Sequence, residues 1–111
     1  MKVYVAAKFE DGERAREVMA LLRGAGHIVT LDWTRNATLD SATAMADMWG
    51  VVGADALVLI VEKDLNYCGA LVEMGIAIGC DKPVYVLGDQ LDNRCIFMHL
   101  PSVHKGIQAL L

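Results

Sequence analysis

Ala56-Leu-Val-Leu-Ile-Val61 is a run of six residues without a polar side chain. A strand with one wet face alternates apolar and polar residues; a strand covered on both faces does not. The run therefore reads as a central parallel strand. Parallel neighbours must be joined by long crossovers, usually helices. The flanking sequence has that rhythm. Lys2–Ala7 reads as a buried first strand, Gly12–Ala25 as a helix with an apolar stripe through Ala15, Val18, Met19, Leu21 and Leu22, and His27–Trp33 as a second strand. Asp11 is placed to cap the first helix, and Gly24 and Gly26 to end it. A second helix is expected over Ser41–Val52, capped by Asp40 or Ser41, a third over Gly69–Gly79, and a fourth strand over Val84–Leu87. Cys95–His99 is read as a short fifth strand and Val103–Leu111 as a last helix. The alternation predicts one α/β domain over residues 1–111, a doubly wound open parallel sheet of four to five strands flanked by helices, Rossmann- or flavodoxin-like.

Composition narrows the function classes. The net charge is −4 and the pI near 5.2. A nucleic-acid backbone binder would want a basic face, so no nucleic-acid partner is expected, while a small nucleoside or nucleotide stays open. Cys68, Cys80 and Cys95 are odd in number and widely spaced, which gives neither a disulfide framework nor a metal signature. A reducing, cytoplasmic setting is the expectation. No signal peptide is read at the start, and no apolar run is long enough for a membrane span. His27, His99 and His104 lack metal spacing. No GxGxxG, P-loop or GxSxG motif occurs. Neither a cofactor nor a metal is expected.

In a doubly wound sheet the site lies at the carboxyl ends of the strands, near the switch in strand order. That places the loops Lys8–Asp11, Trp33–Asp40, Glu62–Gly69 and Gly88–Arg94 on the functional edge. The helix after the third strand opens on the same edge. Between Ala70 and Ile78 it is apolar or glycine except at Glu73, and a helix apolar all round is a buried one. Two readings of Glu73 compete. It is a first-turn carboxylate favoured by the helix dipole and facing a crevice, or it is a nucleophile or base placed at the sheet mouth. Asp47 and Asp55 are further carboxylates, Asp47 beside a helical stripe of Met45, Met48, Trp49 and Val52 that reads as core or as a subunit interface. The plain reading of Asp47 is a solvated helix residue. Tyr4, on the first strand, can point toward the same crevice. Cys68, just before a helix N-terminus, is a lesser candidate nucleophile.

Tyr4-Val-Ala-Ala-Lys-Phe9, Asp47 eight residues before Asp55, Gly69 four before Glu73, Glu73-Met-Gly75-Ile-Ala77 and Lys82-Pro83-Val84 stand in this order. So arranged, they resemble the nucleoside 2-deoxyribosyltransferase superfamily across most of the chain, and the segment Phe97–Val103 resembles the tail of its short members. The resemblance implies that Glu73 is the nucleophile at C1′ of the sugar. It implies that Asp47 handles the base or a sugar hydroxyl and that Tyr4 positions Glu73. Lys8, Phe9, Trp33, Asn66 and Gly69 would bind substrate, with Phe9 and Trp33 candidates to stack on the base. It further implies a homodimer or higher homo-oligomer whose sites a neighbour completes. The implied reaction is transfer of a deoxyribosyl group between bases. The alternatives are an N-hydrolase that releases free base and a binding protein of the same fold that does no chemistry. A cytokinin-type phosphoribohydrolase is a weaker match, since its paired glycines are absent. The sequence departs from the pattern at Tyr67, Cys68 and Ala70. The related 2′-deoxynucleoside 5′-phosphate N-hydrolases bind phosphate with an Arg in the first loop and a Ser in the third. Glu10 and Tyr67 stand at those places, which disfavours a 5′-monophosphate unless Lys8, Lys63 or a neighbour's Arg94 substitutes.

Overall fold

Strands Lys2–Ala6 (β1), Ile28–Val29 (β2), Ala56–Ile60 (β3), Val84–Leu87 (β4) and Val103–Lys105 (β5) form one all-parallel sheet in the order β2-β1-β3-β4-β5. This is a computed structural model, and it describes residues 1–36, 38–64 and 66–111; Ala37 and Leu65, inside two of the loops expected at the functional edge, lie outside the described residues. The run that argued for a central strand is central: every residue of β3 is buried. Helices Gly12–Gly24 (α1), Ser41–Val52 (α2) and Cys68–Gly79 (α3) make the crossovers. The chain leaves β1 in one direction to reach β2 and in the other to reach β3. With right-handed crossovers, α1 then covers one face, and α2 and α3 pack together over the other. The switch in strand order lies between β1 and β3, where such folds bind ligands.

Local chemistry sets the element ends. The Asp40 carboxylate accepts the Thr43 N–H at 2.8 Å and starts α2. Asp11 occupies the N-cap position of α1 without capping it; its carboxylate instead accepts from the Lys63 ammonium at 3.1 Å. After β4 the backbone of Gly88 turns at φ 104° so close to Val61 that a Cβ would lie 2.3 Å from its carbonyl oxygen, so only glycine fits.

Three expectations need correction. The second strand, read over His27–Trp33, is paired only at Ile28–Val29. Asp32 turns the chain out of the sheet: its carboxylate accepts the Thr34 N–H at 3.1 Å and starts a 3-10 turn at Trp33–Arg35. Cys95–His99 is not a strand; Ile96–His99 is a 3-10 turn. The fifth strand comes from Val103–Lys105, where a helix was expected. A nine-residue helix has little stability of its own, and the open edge of β4 offers a ladder instead, extended by the Gly106 N–H to the Val86 carbonyl at 2.8 Å. Gly106 then turns at φ 80°, and the chain ends in a 3-10 turn, Gln108–Leu110, that buries Ile107 and Leu110.

Candidate active site

The carboxyl ends of β1 and β3 open into a cleft of about 450 Å³, within the range of small-molecule sites. Each wall follows from an element already placed. Ala7, Lys8, Phe9 and Glu10 arrive from the end of β1. Trp33, Asn36, Thr38 and Leu39 come from the segment between β2 and α2, and Thr43 and Asp47 from α2 itself. Asn66 and Tyr67 lead into α3, whose first turns supply Cys68, Gly69, Ala70 and Glu73.

Glu73 faces this cleft on a helix that is less enclosed than its composition suggests. Ala70, Met74 and Ala77 are buried on one side of α3, while Val72 and Gly75 are exposed on the other. Glu73 lies at the border between the two. β1 alternates its side chains, and Tyr4, fully buried, turns toward α2 and α3. There its hydroxyl donates to Glu73 Oε2. The ring fits because residue 50 of α2 is glycine: a Cβ there would lie 3.0 Å from the tyrosine ring. One β1 side chain is thus clamped between two helices and holds the carboxylate of the second.

The electrostatics follow from burial. Desolvation raises the Glu73 pKa to about 7; the Tyr4 hydrogen bond opposes that rise and the Asp47 charge adds to it. Burial, reinforced by the Glu73 charge, pushes the Tyr4 hydroxyl far above its ordinary value, so it stays a donor. Asp47 is also raised, by burial. Besides the exposed Glu10, the cleft at neutral pH therefore holds one carboxyl group poised between charged and neutral, and another that keeps its proton more readily than a surface aspartate. Such a pair can attack an electrophilic carbon and protonate a leaving group.

The residues expected at the site do not all play one part. Glu73, Asp47, Lys8, Phe9, Trp33, Asn66 and Gly69 line the cleft, and Tyr4 reaches it through Glu73. Trp33 is buried, and its indole N–H donates to the Val5 carbonyl at 2.6 Å, which fixes it as a floor for the cleft. Phe9, half exposed, stands 6.4 Å from it between ring centroids, tilted by 45°. Asp55 lies at the other end of the sheet, where its carboxylate accepts the Lys2 N–H at 2.8 Å, and it does not line the cleft. The loop Gly88–Arg94 contributes no lining residue either. Asn36, Thr38 and Thr43 were not singled out from the sequence; their only signal was a polar stretch on the functional edge. The Asn36 amide donates to the Thr43 hydroxyl at 3.2 Å and ties that stretch to α2. Among the described residues no group of His, Cys, Asp and Glu side chains could hold a metal ion.

Lys8 stands apart from the other cations near the cleft. Lys63 pairs with Asp11, and Arg94 with Asp64. The Lys8 ammonium is buried, lies 5.7 Å from the centre of the Tyr67 ring, and has no hydrogen-bond partner among the described residues.

No sequence-family model matches the chain, and no curated protein matches it in sequence. The solved structure of a CMP N-glycosidase from Clostridium botulinum, BcmB, shares the fold with a TM-score of 0.70 at 18% identity, over 95% of this chain and 87% of that one.

Proposed function

We propose that this protein is an enzyme that cleaves the N-glycosidic bond of a nucleoside or nucleotide, with Glu73 as nucleophile. The observation that carries this reading is the pairing of Glu73, raised to about 7, with a tyrosine hydroxyl that only donates, in a cleft that also holds Asp47. Breaking this bond builds positive charge at C1′. The Glu73 carboxylate attacks C1′ as the bond to the base breaks, and the electron pair leaves on the base nitrogen, which takes a proton from Asp47. Water then attacks C1′, gives a proton to the Asp47 carboxylate and releases Glu73. Tyr4 keeps Glu73 oriented and favours its charged form. Phe9 and Trp33 offer an aromatic wall for the base.

The cleft is open, so water reaches the glycosyl-enzyme, and release of free base is the favoured outcome. The fold shared with a CMP N-glycosidase is in keeping with that choice. Transfer to a second base is the alternative. It gains support from the exposed Met45, Met48 and Trp49 of α2, the helix that carries Asp47, which offer a seat for a second copy of the chain. The test is chromatography of cytidine, cytidine 5′-monophosphate and their 2′-deoxy forms after incubation, with and without a different free base. Free base in both samples identifies a hydrolase. A new nucleoside or nucleotide only when base is added identifies a transferase. No product from any of them would contradict the proposal and leave a binding protein.

A further inference from the structure

The charges around the cleft are one-sided. Glu10, Asp47 and Glu73 line it, and Glu10 is exposed. Among the described residues that line it, Lys8 alone is basic. Its ammonium is buried against the Tyr67 ring and presents no surface to the cleft. Lys63 and Arg94 do not line the cleft, and they are paired with Asp11 and Asp64. The start of α3 adds only the partial positive charge of a helix end, about half an elementary charge. A cleft lined by one sign of charge concentrates ligands of the other sign. A second observation is the wall beside these carboxyl groups. Phe9, half exposed, precedes Glu10 in the same 3-10 turn, Phe9–Asp11. Its ring and the fixed indole of Trp33 both line the cleft. The face of an aromatic ring attracts a cation, and indole does so most strongly.

We propose that the cleft takes a nucleoside whose base is a cation, a flat ring quaternised at the nitrogen that bears the sugar, held by the Phe9–Trp33 wall and by Glu10. Both features select this ring over a neutral one: the aromatic faces by cation–π attraction, and Glu10 as a counter-charge that no residue of the chain engages among the described contacts. The chemistry is simpler than with a neutral base. Glu73 attacks C1′ as the bond to the ring nitrogen breaks. The electron pair of that bond cancels the charge of the ring, so the base leaves neutral without taking a proton. Water then attacks C1′ and frees Glu73, and its proton passes to the Asp47 carboxylate. Asp47 thus serves a cationic base only in the second step, whereas a neutral base needs it in the first as well.

This inference rests on the proposed reaction, so its test has an arm that needs no turnover. Nicotinamide and its cation 1-methylnicotinamide are titrated into the wild-type protein while the indole N–H signal of Trp33 is followed by NMR. The cation is expected to bind roughly 3- to 30-fold more tightly, the range of a cation–π contact. Glu10→Gln is expected to lower that ratio roughly three- to fivefold, the scale of one charge pair in water; its NMR spectrum reports whether it is folded. In the turnover arm, Glu10→Gln should lower kcat/KM for nicotinamide riboside more than for cytidine, and Asp47→Asn should cost cytidine more than nicotinamide riboside. Equal binding of the two rings, or a ratio that Glu10→Gln leaves unchanged, would overturn the inference. Release of base from cytidine with no preference for the cation would refute it and leave the proposed reaction standing. Preferential binding of the cation without base release from either nucleoside would refute the reaction and uphold the choice of ring.

Discussion

Glu73 is under opposed influences: burial and the charge of Asp47 favour its neutral form, and the Tyr4 hydroxyl favours the charged one. Activity that depends on ionised Glu73 should rise through a limb near pH 7. Tyr4→Phe removes the hydrogen bond, so the limb should move to higher pH. Asp47→Asn removes a negative neighbour, so the limb should move to lower pH while kcat falls on the order of 10²- to 10⁴-fold, the scale of general acid catalysis. A pH–rate profile of each variant checks these opposite signs. The same group links to stability. Its folded pKa, about 7, lies above its unfolded 4.5, so its contribution is full below pH 4.5 and is lost as pH rises through 7. Glu73→Gln should therefore be more stable than wild type at pH 8, by up to about 3 kcal/mol, and the gap should close toward pH 4. Denaturant unfolding at both pH values measures it. Part of this was legible in the chain. A lone carboxylate in an apolar helix start marked Glu73 from its neighbours alone. The hydroxyl that controls it belongs to residue 4, and only the resemblance linked the two, because a contact across 69 positions leaves no local periodicity.

Among the elements, α2 is the one whose placement decides the site, since it carries Asp47 and packs on Tyr4. Gly50→Ala sets two effects against each other. Alanine gains about 1 kcal/mol of helix propensity. Its Cβ, 3.0 Å from the Tyr4 ring and 3.3 Å from Leu31 Cβ, costs about 1–3 kcal/mol of overpacking. Stability should fall little, whereas kcat should fall at least tenfold, the factor that corresponds to about 1.4 kcal/mol of misplaced carboxylate. Unfolding and steady-state kinetics on one preparation separate the two. The ends of α2 were readable in advance because Asp40 carries its own cap. The C-terminal strand was not readable: Val103–Lys105 joins the sheet only because β4 presents a free edge, and edges are a property of the assembled sheet.

For the whole molecule, the question is what covers α2. Met45 is 52% exposed, Met48 37% and Trp49 60%, all on one helix. A cluster of large apolar side chains on one surface marks an interaction site more often than free surface. We propose that a second copy of the chain covers this face, so Trp49→Lys should release a 12.1 kDa monomer, as light scattering after gel filtration would show. The alternating pattern of strands and helices was enough to give the layered α/β fold and the sheet edge at which the cleft opens. It could not tell core from interface on α2, since a stripe buried by a neighbour and a stripe buried by the chain itself have the same sequence.

Whether Glu73 is the nucleophile is decided by the rate of base release from nucleosides and their 5′-monophosphates by wild type beside Glu73→Ala. Wild type should release base, and the variant should lose a factor on the order of 10³ or more, as expected when a nucleophile is removed. A loss smaller than tenfold would rule out Glu73 as nucleophile and leave it a structural carboxylate at a helix start.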